Sequence, residues 1–485
     1  MGSAMREMHC AHVLAAADMP VSAARMIRID GESIAAVEAA RPGAADALLA
    51  MPPLANAHDH ARTVRSSSLG AFGKPLETWL HYLALVPSID PYLAGAVSLA
   101  RSALGGAGVV MVHYTRVQGF TDLPTEAKEV ARAARDIGLR VGFAVALRDR
   151  NPLVYGPSEP ILAALSTAAR EEIARRVMRA PLAVAEMIAL VDAVAAAAGS
   201  ATFDVQYGPN AVQWCTTELL EAVAEASERT GRRVHMHLLE TRYQRACADK
   251  EFPDGIVRYL DRIGLMSPRL TLAHCTWARP DELELIAERG ATISVNTGSN
   301  LGIRSGIAPL AEMVRRGCRV ALGLDGLALD EDDDGLRDMR LAHLIHCGTG
   351  FRVDVKRSDI LAMAFRNGRR SVLNAEEGGA LAAGQPADIL LLDWNAIGDD
   401  RLLPNLDPLD LLFARTTARH VHELIVAGRP IVRDGRVLGI DYPALREDML
   451  ARLRSLMAQN AAFAAAVGDL VRAVRHHFEA ETPCC

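Results

Sequence analysis

Between about residues 51 and 379 the chain alternates short apolar, β-branched runs with longer stretches in which apolar residues recur every three or four positions. The first pattern is that of strands buried on both faces, the second that of amphipathic helices. Eight runs are predicted as strands: Pro53–His60, Val109–Thr115, Val141–Arg148, Phe203–Pro209, Arg233–Glu240, Leu270–Trp277, Ala291–Thr297 and Arg319–Gly326. Helices are predicted between them, among them Thr125–Ile137, Thr216–Arg229, Asp281–Glu288 and Ala308–Arg316. The last three open on Thr, Pro-Asp or Ala-Pro, as helix starts do. Eight such alternations predict an α/β fold, a closed (β/α)8 TIM-like barrel.

The flanks carry a different pattern. Residues 5–50 and 380–440 contain short alternating strands with Gly turns, notably Ala387–Asp393 and His422–Gly435. They are expected to form one small β-sandwich domain built from both ends of the chain, around a barrel over 51–379. Residues 441–485 are expected to be a helical extension. Within it, the Ala/Leu/Arg pattern from Tyr442 to Ala480 would pack on the barrel or on a second copy, so a homodimer is compatible with it. The most apolar run, Leu182–Ala198, is broken by Glu186 and Asp192 and reads as a packed helix, with no membrane partner implied. No secretory leader is legible, so a cytoplasmic protein is expected, and the leading Met-Gly-Ser-Ala is left out of the fold reasoning.

Composition narrows this further. In 485 residues, 50% are hydrophobic and 23% charged, the balance of a folded globular chain. A formal charge of -6, without a clustered Lys/Arg stripe, argues against nucleic acid as a partner. The eight cysteines show no CxxC spacing, which argues against a zinc finger or a disulfide framework, and the terminal pair Cys484-Cys485 reads as a tail.

Reactive side chains gather at the C-terminal ends of the predicted strands: His58, His60, His113, Arg148, Gln206, His237, Glu240, His274, Asn296 and Asp325. Barrel enzymes carry their chemistry there. In Asn56-Ala-His58-Asp-His60 the two histidines lie two apart on a strand, face the same way and can converge on one ion. One such pair is weak evidence. It gains force from Val234-His-Met-His237-Leu-Leu-Glu240, Leu272-Ala-His274 and Leu322-Gly-Leu-Asp325. His235 is read as a core residue of a lower barrel layer, and His113 is left open between scaffold and site.

This set, in this order, resembles the amidohydrolase superfamily, in particular its chlorohydrolase and aminohydrolase branch of guanine, cytosine, adenosine-derivative and triazine hydrolases. The run Asn296-Thr-Gly-Ser-Asn-Leu-Gly-Ile-Arg-Ser-Gly-Ile-Ala-Pro309 is similar to that branch's loop after the seventh strand. Gly384-Gln-Pro-Ala-Asp388 and Val426–Gly435 are similar to its C-terminal signature. The resemblance implies that His58, His60, His237 and Asp325 hold a divalent ion, and that donor set suits zinc. It also implies that Asp325 takes a proton from water, that Glu240 carries it to a ring nitrogen and then to the leaving group, and that His274 orients or polarises the reactants. Two-metal relatives bridge their ions with a carboxylated lysine on the fourth strand. The lysines here, Lys74, Lys128, Lys250 and Lys356, lie away from Phe203–Pro209, so one ion is expected.

The substrate region departs from the branch. Where many members carry Pro-His, this chain has Gln206-Tyr-Gly-Pro209-Asn210-Ala-Val-Gln213-Trp214. Gln206, Asn210 and Gln213 are candidates to read the edge of a heterocycle, and Trp214 or Trp277 to stack on it. Among the arginines after strand ends, Arg62, Arg65, Arg148 and Arg304, the last two are candidates for a carbonyl or carboxylate. The acidic run Asp330–Asp334 would bias the entrance toward neutral or cationic ligands, or is simply a solvated loop.

The leading expectation is hydrolytic deamination of an amino-substituted purine, pterin, pyrimidine or triazine. Opening of a cyclic amide, as imidazolone-type amidohydrolases do, uses the same residues, as does loss of chloride or an alkylamine from a triazine. A catalytically silent scaffold is the reading from another class, and the presence of every expected ligand argues against it.

Overall fold

The computed structural model describes residues 5–41, 43, 45–327, 331–373, 375, 377–403 and 405–481. The leading tetrapeptide, Asp330 of the acidic run and the pair Cys484-Cys485 lie outside the described residues. Strands β1 (Arg6–Val13), β2 (Ser22–Asp30), β3 (Ser33–Ala39) and β4 (Asp46–Met51) come first. The barrel follows with β5 (Leu54–Asn56), β6 (Ala107–Tyr114), β7 (Arg140–Leu147), β8 (Phe203–Pro209), β9 (Val234–Leu238), β10 (Leu270–His274), β11 (Thr292–Val295) and β12 (Arg319–Leu322). Strands β13 (Ile389–Asp393), β14 (Val421–Val426), β15 (Arg429–Arg433) and β16 (Arg436–Val437) close the series.

Strands β5 to β12 pair in sequence order, all parallel. The ring is completed beyond the ladders, where Ala57 N–H donates to the Leu322 carbonyl at 2.9 Å and Asp325 N–H to the His58 carbonyl at 2.7 Å. These strands are buried along their length because helices cover the outside, which is why they read as continuous apolar runs. Their inner faces are of another character. Register aligns His113, Ala144 and Gln206 in one row, and His235, Thr271 and Thr292 in another. Polar and small residues thus fill the centre, where barrels more often carry branched apolar layers.

Each ladder but that of β8 ends before its predicted run does, and the chain turns at its last residue or beyond it. Leu239 (φ 51°), His274 (φ 77°) and Asp325 (φ 65°) adopt left-handed backbone conformations, which side chains other than Gly rarely take. His58 and His60 are accordingly not strand neighbours on one pleat face. They sit in a turn held by Asp59, which accepts from Asn56 Nδ2 and from the backbone N–H of His60 and Ala61, each at 2.7 Å. The turn replaces pleat alternation as the reason the two rings converge.

The flanking strands join in one eight-stranded sheet, ordered β16-β15-β14-β13-β4-β1-β2-β3, so segments from both ends of the chain meet at the β4–β13 pair. Asp388, just before β13, fastens this sheet to the barrel. Its carboxylate accepts from Arg140 at 2.6 Å, from Arg369 at 2.7 Å and from Ala427 N–H at 2.7 Å. This gives the Gly384–Asp388 signature its physical content.

The C-terminal pattern that reads as one helix is two, Tyr442–Ala458 and Ala461–Glu481. The break falls at Asn460, whose amide donates to the Leu456 carbonyl at 3.0 Å and accepts from Arg176 at 3.1 Å. The second helix buries Phe463, Val467, Leu470, Val474 and Phe478 against Leu153, Val154 and Ile161 of the segment between β7 and β8. Among the described residues no helix is long and apolar enough to cross a membrane.

Candidate active site

The turn after β5, the end of β9, the end of β10 and the turn after β12 bring six predicted side chains together at the C-terminal mouth of the barrel. His58 Nε2 and His60 Nε2 lie 3.2 and 3.1 Å from the same oxygen of Asp325, and His237 Nε2 lies 3.3 Å from His60 Nε2. His274 Nε2 stands 3.7 Å from Glu240 Oε1 and 3.8 Å from Asp325 Oδ2. All six are buried. The close approach depends on Gly323, where a Cβ would stand 2.3 Å from Asn296 Oδ1 and 2.9 Å from His58 Cβ.

Each ring is held from behind. His60 Nδ1 meets the His113 carbonyl at 2.8 Å, His237 Nδ1 the Asn210 carbonyl at 2.7 Å, and His274 Nδ1 the Asn300 side-chain oxygen at 2.9 Å. A carbonyl oxygen only accepts, so the proton of His60 and of His237 sits on Nδ1, and Nε2 turns a lone pair inward. His58 Nδ1 contacts His235 Nε2 at 2.7 Å. Ser299, from the short helix Thr297–Gly302 after β11, donates to Asp325 Oδ2 at 2.6 Å.

Burial drives the imidazoles toward the neutral form: His58 is pushed down to about 4, His60 and His274 are lowered, and His237 is held well below the ordinary value. Burial opposes an ionised Asp325, but the charge and hydrogen bonds of His58 and His60, when a proton stands on Nε2, outweigh it and hold the carboxyl well below its usual range. Burial, and next the charge of Asp325, pushes Glu240 well above the usual carboxyl range.

The donor set fits a divalent metal. Donor atoms of His58, His60 and Asp325 lie within 4.8 Å of one another, as do those of His58, His237 and His274 and those of Glu240, His274 and Asp325. His58 Nε2, His274 Nε2 and Asp325 Oδ1 are buried with no hydrogen-bond partner among the described residues. Buried polar atoms without partners are costly, and neutral imidazoles around a carboxylate are what a zinc-like ion takes up.

A cavity of ≈ 250 Å3 opens above this floor. His60, His237, Glu240, Asp325 and Asn210 line its base, Arg62, Arg148 and Trp214 line its sides, and Leu470 and Phe478 of the C-terminal helix line its outer wall. Asn210, Trp214 and Arg148 therefore reach the space predicted for them. His113 does not: it lies beneath, stacked on His60 and His237 at 5.7 and 5.0 Å, with Nε2 3.0 Å from the Gly208 carbonyl.

Gln206 points away from the cavity, its amide donating to Asp204 at 2.9 Å and to the Val372 carbonyl at 2.8 Å, because it stands three residues before the end of β8. Arg304, exposed, Gln213, buried, and Trp277, which donates to the Ser305 carbonyl at 2.7 Å, all lie outside the cavity lining. In the acidic run, expected to bias the entrance electrostatically or to be a solvated loop, Asp333 is buried against Arg101 at 3.3 Å and Asp334 caps the helix Gly335–His346, and neither lines the cavity.

Sequence reasoning missed Glu77, whose carboxylate accepts from Thr241 at 2.6 Å and Tyr155 at 2.9 Å in the cavity wall. An acidic residue in the first turn of the helix Leu76–Tyr82 carries no signal that separates it from a solvated one. Ser299 and Asn300 were within the loop that resembles the branch, but their roles were not legible.

Residues 49–431 match the sequence model of the amidohydrolase family. A 5'-deoxyadenosine deaminase of Methanosarcina barkeri is 32% identical over 243 residues, so this chain spans about half the length of that relative (55%), using 50% of its own. A 5-methylthioadenosine/S-adenosylhomocysteine deaminase of Pyrococcus horikoshii is 29% identical over 425 residues, 86% of this chain and 92% of the relative. The fold is shared with an adenosine deaminase from Xanthomonas campestris solved with bound zinc, at a TM-score of 0.74 and 21% identity over 93% of this chain and 98% of that one.

Proposed function

The chain belongs to the amidohydrolase family, and from that premise we propose that it is a metal-dependent hydrolase that removes the amino group from a nitrogen heterocycle. Adenosine-type bases are the first class to consider, because the relatives named above are deaminases of such compounds. The observation that carries the reading is the triad Glu240, His274 and Asp325, with His274 Nε2 3.7 Å from Glu240 and 3.8 Å from Asp325 and the donor atoms of all three within 4.8 Å of one another, at the floor of a cavity sized for a small ring.

His58, His60, His237 and Asp325 would hold one divalent ion, zinc by the chemistry of its donors. A bound ion of this kind supplies Lewis acidity and makes water acidic enough to attack near neutral pH. Asp325, steadied by Ser299 at Oδ2, accepts the proton of the attacking water. Glu240 transfers protons from the water side to a ring nitrogen and then to the exocyclic amine. The water oxygen becomes bonded to the ring carbon, the exocyclic C–N bond breaks, and the nitrogen leaves as ammonia. His274, its Nδ1 held by Asn300, presents Nε2 to the reacting carbon's oxygen substituent. Leu470 and Phe478 add apolar surface to the cavity in which the ring would sit.

The test is ammonia release, followed alongside ultraviolet spectra, from zinc-loaded protein on a panel of aminopurines, aminopyrimidines, aminopterins and aminotriazines. Ammonia that disappears in a Glu240→Gln variant supports the proposal. Spectral loss without ammonia would move the reaction to ring opening or another leaving group.

A further inference from the structure

Two of the three imidazoles assigned above to the ion have their tautomer set by backbone carbonyls, which can only accept. His58 has not. Its Nδ1 faces His235 Nε2 at 2.7 Å, and an imidazole nitrogen can act as donor or acceptor. If His235 Nε2 carries the proton, it donates to His58 Nδ1, the His58 proton sits on Nε2, and that nitrogen has no lone pair for an ion. If His235 Nε2 is bare, His58 donates from Nδ1 and its Nε2 lone pair faces Asp325.

We propose that His235, read from sequence as a packed core residue, is the positioning residue that fixes the ring orientation and tautomer of His58. The inference rests on the assignment of His58 as a metal ligand. The two rings lie nearly parallel, centroids 4.9 Å apart, and both are completely buried, so no bulk water competes for the contact. In the productive state His235 carries its proton on Nδ1. That atom has no partner among the described residues, and neither does the hydroxyl oxygen of Thr271, its ladder neighbour on β10. The barrel therefore carries an imidazole-to-imidazole relay where metal-ligating histidines more often lean on a carboxylate or a carbonyl. The spacing Val234-His235-Met236-His237 places on one strand both a ligand and the support of a second ligand from another strand.

Zinc affinity, measured by competition with a chromophoric chelator, tests this in wild type and in His235→Leu, His235→Gln and Thr292→Val. His235→Leu is expected to bind zinc roughly tenfold to a hundredfold more weakly. His235→Gln, whose amide oxygen still accepts from His58 Nδ1–H, is expected to recover most of that loss. Thr292→Val changes the same barrel interior without touching the pair and is expected to leave affinity unchanged. Nitrogen-15 spectra of zinc-loaded wild type are expected to show Nδ1–H on both His58 and His235. An unchanged affinity in His235→Leu, an equal loss in Thr292→Val, or Nε2–H on His235 would each overturn the proposal while the metal site stood. A wild-type chain that takes up no zinc would overturn both. Should His235→Leu not fold, the spectra of the wild type still decide.

Discussion

At the scale of single residues Glu240 is proposed to transfer protons without a part in holding the ion. Glu240 stands 3.7 Å from His274 and contributes no ring nitrogen to the histidine cluster, so Glu240→Gln is expected to lower kcat about 10²- to 10⁴-fold while zinc content is retained. Metal analysis beside steady-state kinetics checks this, and loss of zinc together with activity would remove Glu240 from the proton-transfer role. The Ser299 hydroxyl donates to Asp325 Oδ2 at 2.6 Å, and a hydrogen bond to a charged group contributes about 1.5–3 kcal/mol. Ser299→Ala is therefore expected to slow turnover roughly tenfold or more, with KM changed much less. The histidines, Glu240 and Asp325 were legible because each ends an apolar run. His235 was read correctly as a buried residue of a lower barrel layer, whereas Gln206 was misjudged because its role depends on which layer it occupies and what faces it there, which periodicity along one strand does not encode.

Among the elements, the helix Ala461–Glu481 links stability to the cavity. Phe478 is buried between Tyr155 and Tyr243, ring centroids 5.4 and 5.0 Å away, and also lines the outer wall. Phe478→Ala is expected to cost about 3–5 kcal/mol in denaturant unfolding and to raise KM, since both the packing and the wall lose the same ring. A variant that lost stability with an unchanged KM would show that the helix is scaffold only. No local pattern tells where this helix docks. Its apolar stripe predicts a buried face, but the partner segment, Leu153 to Ile173, lies some 300 residues upstream in an insertion of its own. Strand order was easier to read, because βα alternation leaves few topologies open.

For the whole molecule, two linkages follow. Loading zinc to about a thousand times its dissociation constant should stabilise the fold by about 4 kcal/mol, so a chelator is expected to lower Tm, and an identical melt with and without chelator would count against a native-state metal site. Acid acts separately. His81 and His346, away from the candidate ligands, are both pushed down to about 4 by burial. The unfolded chain therefore binds protons that the folded chain refuses, so stability falls as pH drops from about 6.5 to 4, by up to about 1.4 kcal/mol per unit for each histidine. Urea midpoints at pH 7 and pH 5 check this, and His346→Gln should flatten part of the slope.

The pairing of β4 with β13, Met51 against Leu390, carries a consequence for biosynthesis. A ribosome finishes β4 early and must then add the entire barrel before its partner strand emerges, which at about 5–20 residues per second takes roughly twenty seconds to a minute. For that interval the nascent N-terminal sheet presents a bare edge. A transcript cut short anywhere before β13 would leave that edge open permanently, so truncated products are expected to be aggregation-prone even when most of the barrel has been made.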